Sequence, residues 1–104
     1  MRKTLTILIS TLLLSPLSVL AVEGPSLDLG KSLFESNELG TKQRSCNTCH
    51  GQGKGLDKIG DFNDEELKDI INACIRDAVG GKLMAIDSQE MNDLFSYVRT
   101  FQKN

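Results

Sequence analysis

Apolar residues recur at steps of three and four in three stretches of the chain, and no stretch alternates with the period of a strand. In "SLDLGKSLFESNEL", Leu27, Gly30, Leu33 and Phe34 share one helical face. A second helix is predicted after "NDEEL", where Asn63 and Glu66 make a capping-box pattern. Its apolar stripe runs through Leu67, Ile70, Ile71, Cys74, Ile75 and Ala78, with Cys74 near the middle, and Gly80-Gly81 ends it. A third helix is expected to start at Asp87 or Ser88, with Glu90 in its first turn. Met91, Leu94, Phe95, Val98 and Phe101 line its inward face, and Tyr97 lies at the edge. Between the first two helices lies a glycine-rich loop, so the pattern predicts an all-α fold of three main helices.

The chain's start follows a different logic. Arg2 and Lys3 precede the apolar run "LTILISTLLLSPLSVL", which Pro16 breaks, and "VLA" sets Val19 and Ala21 before a cleavage point at Val22. Residues 1–21 read as a signal peptide and residues 22–104 as one exported domain, expected in the periplasm and free of the membrane after cleavage. The apolar run is too short and broken for a membrane span. Cleavage would remove two basic residues and no acid, so the domain is more acidic than the whole chain's net charge of −2. An acidic domain without a basic stripe argues against nucleic acid as partner. So small a core usually needs a disulfide, metal or cofactor as well.

The loop "SCNTCHGQGKG" supplies a candidate. It holds Cys46, Cys49 and His50, two of the three cysteines and the one histidine of the chain. C-x-x-C-H in an exported protein reads as covalent attachment of c-type haem. Two thiols add to the two vinyl groups on one porphyrin edge, and the adjacent histidine is carried under the iron as proximal ligand. Thioredoxin-like chemistry would need a βαβ setting. A zinc site would need further ligands beyond the one remaining thiol. A Cys46–Cys49 disulfide is the plain structural alternative. One motif implies one haem c, and without a second histidine in the chain, bis-histidine ligation would need a residue from another chain.

With those residues in place, the helix–CxxCH–helix–helix order resembles a small bacterial class I cytochrome c across nearly all of residues 22–104. Gly30 with Phe34, and Tyr97 in "LFSYVRTF", are similar to that fold's crossing of first and last helices, where glycine lets two backbones approach. The chain departs from the family in two places. No proline follows His50, where such proteins commonly use a proline carbonyl to orient the ring, and the Met-Pro pair that marks the sixth ligand is missing.

A narrower resemblance bears on that sixth ligand. "IINACIRDAVGGKLMAIDSQEMNDLFSYV" is similar to the C-terminal part of the cytochrome domain in thiosulfate dehydrogenases and in the A subunit of the sulfur-oxidising complex. The shared pattern is I-N-x-C, a glycine, S-x-E-M and a tyrosine. The cysteine of that pattern is the distal haem ligand, which implies Cys74 here. The residues alone leave the choice open. Cys74 is left over once the motif takes two thiols, but it could equally be a buried structural cysteine or pair with another molecule. Met84, in the loop before the last helix, is the rival, Met91 reads as core, and an open site is the third option. Methionine raises a haem potential, and an anionic thiolate stabilises ferric iron and lowers it.

The resulting expectation is a periplasmic monohaem cytochrome that passes single electrons between redox partner proteins. The alternatives are a Cys-ligated subunit or enzyme acting on thiosulfate or related sulfur compounds, and a small-ligand sensor. Lys42, Arg44, Lys54 and Lys58 cluster around the motif with Asp57 as the one acid. They form either an ordinary solvated surface or a positive rim that steers an anionic partner. Arg76, two residues beyond Cys74, is a candidate contact for a sulfur anion.

Overall fold

A computed structural model of the chain describes residues 24–103. The expected signal segment, residues 1–21, lies outside the described residues. Within them the protein is all-α: α1 (Leu27–Glu35), α2 (Cys46–His50), two short 3-10 turns at Gly51–Gly53 and Ile59–Asp61, α3 (Asp64–Asp77) and α4 (Gln89–Arg99). One isolated antiparallel bridge joins Gly40 and Gly81. Among the described residues, no helix is long and apolar enough to cross a membrane.

Each helix begins on a side-chain cap. Ser26, Ser45, Asn63 and Ser88 accept from the backbone N–H of Leu29, Thr48, Glu66 and Met91, respectively. Each cap satisfies a donor that the helix itself leaves unpaired. The third long helix thus starts at Gln89 on Ser88, one of the two starts the sequence offered. α3 stops at Asp77, ahead of the glycine pair, and the Gly81 N–H then reaches back to the Ile75 carbonyl at 2.8 Å.

The core is built where α1 crosses α4. A Cβ on Gly30 would collide with the Asp93 carbonyl and lie 2.8 Å from Tyr97 Cβ, so the crossing requires glycine there. Phe34, Tyr97 and Phe101 stack around this contact with ring centroids 5.2–5.6 Å apart. Met91, Leu94 and Val98 are buried beneath them, against Leu67, Ile71, Ile75 and Val79. Asp93 is also buried, and its Oδ1 accepts from the Ser26 N–H at 2.8 Å and from Gln89 Nε2 at 2.7 Å. That carboxylate fastens the start of α1 to α4.

Two expectations about faces are corrected. Leu27 is exposed rather than part of the inward face of α1, because only Gly30 and Phe34 sit against α4 deeply enough to be buried. The stripe on α3 is split. Leu67, Ile71 and Ile75 are buried, whereas Ile70, Cys74 and Ala78 are solvent-exposed along one side of a crevice.

Candidate functional site

The motif is not loop but helix. Ser45 and Thr48 form a reciprocal capping box, with the Thr48 N–H donating to Ser45 Oγ at 3.2 Å and the Ser45 N–H donating to Thr48 Oγ1 at 3.0 Å. This box starts one helical turn at Cys46. Residues three and four apart share a helix face, so Cys46, Cys49 and His50 come to point the same way. The loop expectation missed this because "SCNT" uses threonine where the common box has glutamate.

After His50 the chain doubles back. Gln52 lies at φ 58°, and Gly53 and Gly55 at φ 78° and 81°. A Cβ on Gly53 would overlap the Phe101 ring, so α4's tail presses directly on this turn. The reversal brings the Lys54 carbonyl to 2.7 Å from His50 Nδ1. A carbonyl can only accept, so Nδ1 is the donor in this bond, and Nε2 is the ring nitrogen it leaves unengaged. The acceptor that orients the His50 ring is therefore the backbone carbonyl of Lys54, four residues after the histidine.

Cys46, Cys49 and His50 line one wall of a crevice, and Ile70, Ile71, Cys74 and Ala78 of α3 line another. Phe34, Leu56, Ile59, Phe62 and Leu94 complete it around a cavity of about 110 Å³. The lining is almost wholly apolar apart from Ser45, the three cysteines and the histidine. All three thiols are unpaired. Burial pushes the Cys46 thiol up to about 11, partly countered by a backbone hydrogen bond and reinforced by Cys74. The Cys74 thiol is also raised, first by burial and then by the negative charges of Asp77 and Cys49. Among the described residues, no three His, Cys, Asp or Glu side chains converge on a point where a bare metal ion could sit.

Met84 stands elsewhere. It is partly buried against the core and does not line the crevice. Its backbone is paired with the Asn72 carboxamide at 2.8 and 2.9 Å. Met91 is fully buried in the core, as its helical position suggested. Arg76 does not line the crevice either, since its guanidinium is turned to Asp77 at 2.8 and 3.0 Å on the surface. Of the basic cluster, Lys42 Nζ donates to the Asp77 carbonyl at the end of α3, and Arg44, Lys54 and Lys58 are exposed.

Several residues that build the site carried no sequence signal. Arg99 donates to the carbonyls of Ile59 and Phe62 and to Asp64, holding the 3-10 turn and the start of α3 beside the crevice. Asn72 offered one hint, since asparagine is a weak helix former in the middle of a helix. Asp93 and the Lys54 carbonyl offered none. Compared with family models, curated proteins and solved structures, the chain matches none of them.

Proposed function

We propose that the chain is an exported monohaem c-type cytochrome of class I fold that moves single electrons between redox partner proteins. Cys46 and Cys49 would carry the thioether bonds, His50 the proximal side of the iron, and Cys74 the distal side. The observation that carries this reading is the His50 ring, held by the Lys54 carbonyl so that Nε2 is free to bind metal, in a crevice that also contains all three thiols. The residues fit the group. Two thiols and an imidazole share one helix face, the opposing wall offers a single sulfur, and the remaining walls are apolar. Haem c, when bound, supplies a reversible one-electron iron couple.

The chain's own residues have separate tasks. Lys54's carbonyl fixes the tautomer and orientation of His50, which strengthens the imidazole as a donor. The apolar walls exclude water and so limit reorganisation on charge change. Cys74 rather than Met84 is the favoured distal ligand because it shares the crevice with His50. A thiolate there would set a low potential.

The test is maturation of the full chain in a cell with cytochrome c assembly machinery. The expected product keeps its haem through acid–organic extraction and gives the pyridine haemochrome spectrum of two thioether links. Cys46→Ser and Cys49→Ser would each shift that spectrum toward one link. A haem that extracts freely from the wild-type protein would refute the reading.

A second reading is favoured by one observation, the exposure of Cys74 on an open crevice. A sulfur anion could approach that thiol, as the thiosulfate-oxidising alternative requires. Turnover of thiosulfate by the haem-loaded protein with an artificial acceptor separates an enzyme from a carrier.

A further inference from the structure

We infer that Asn72 is a positioning residue that keeps Met84 away from the crevice and so leaves Cys74 as the one sulfur available to the iron. This inference rests on the haem reading above. Asn72 lies on α3 two residues before Cys74, so the two side chains leave the helix about 200° apart. Cys74 faces the crevice. Asn72 faces the segment joining α3 to α4 and pairs with both backbone groups of Met84. Its Nδ2 donates to the Met84 carbonyl at 2.8 Å, and the Met84 N–H donates to its Oδ1 at 2.9 Å.

A carboxamide holds a donor and an acceptor side by side, which is what satisfying both groups of one residue demands. Aspartate has nearly the same shape but no donor, and would set a carboxylate oxygen against the Met84 carbonyl. Apart from the packing of the Met84 side chain against the core, the segment has little else to hold it. Leu83 and Ile86, on either side of Met84, are 50% and 38% exposed. The other hydrogen bonds of residues 82–86 are local ones, from Ser88 to the Ala85 carbonyl. The neighbouring anchors are the Gly81 contact with Ile75 and the cap at Ser88. Between them the segment is tied to α3 by one side chain. Without that tie, only the packing of its side chain against the core would hold Met84 on its side of α3, on a span of backbone with no other long-range hydrogen bond.

The test uses haem-loaded protein and reads the iron's spectrum rather than turnover. Cys74→Ala with Asn72 intact is expected to give an open site that binds added imidazole. Adding Asn72→Asp should produce the low-spin thioether spectrum and weaken imidazole binding at least tenfold. Met84→Leu in that background should restore the open spectrum. Thioether ligation in Cys74→Ala alone would overturn the inference, as would a double variant as open as the single one. If the wild-type protein already shows that thioether spectrum, the Cys74 ligand reading fails with the inference, whereas a thiolate wild type that turns thioether in Cys74→Ala sinks the inference alone. An independent measure is amide exchange in Asn72→Asp with Cys74 retained. The Met84 N–H should exchange at least ten times faster while the Leu67–Ile75 amides keep their rates, and an unchanged Met84 rate overturns the clamp.

Discussion

Cys46 ties the stability of the fold to alkaline pH. Its folded thiol ionises at about 11 against an ordinary 9.0, mainly because burial disfavours the thiolate. Below the ordinary value both folded and unfolded chains hold the proton. Above it the unfolded chain loses the proton and the folded one does not, so stability falls as pH rises from 9.0 to about 11. A thioether sulfur does not titrate. Melting curves across that range should therefore show the alkaline loss in the haem-free protein and a shallower one in the haem-loaded form. In the haem-free protein, alkylation near neutral pH should reach exposed Cys49 well before Cys46. The identities of these residues were legible in "SCNTCH". The means of orienting His50 was not, because it depends on a backbone carbonyl placed by a turn, and no side chain at position 54 announces it.

The helices show how far periodicity reaches. The crossing of α1 and α4 was readable from Gly30, Phe34 and Tyr97, and Gly30→Ala tests it directly. The added methyl meets the Asp93 carbonyl and the Tyr97 Cβ, neither of which is a flexible side-chain end. Overpacking of this kind costs about 1–3 kcal/mol, and a chemical denaturation midpoint should fall accordingly with the helical content of the folded state unchanged. The stripe on α3 was read as one inward face, and it serves two purposes. Ile75 is buried in the core, Ile71 is buried at the boundary where the core meets the crevice, and Ile70, Cys74 and Ala78 face the crevice. A spacing pattern marks an apolar face but does not distinguish the part packed against other helices from the part that lines a crevice. The same limit explains Leu27, which has the right spacing but lies beyond the end of the contact.

At the scale of the whole molecule, no segment among the described residues fills the space between the apolar walls of the crevice. Phe62 and Ile70 remain 39% and 38% exposed while lining it. Covering them is worth about 1 kcal/mol each at the usual value of buried apolar area, and each kcal/mol moves the melting point of a small domain by roughly 4–8 °C. The haem-loaded protein should therefore melt at least about 8 °C above the haem-free one, and equal melting points would mean that haem does not cover the crevice. The chain's local code determined the helices, their caps and the C-x-x-C-H spacing, because those depend on side-chain type over a few residues. Which sulfur faces His50 was decided only by the tertiary arrangement. Cys74 and Met84 are ten positions apart in a chain that turns back on itself, and the opposite flanks of α3 on which they lie follow from how that helix is set between α4 and the motif.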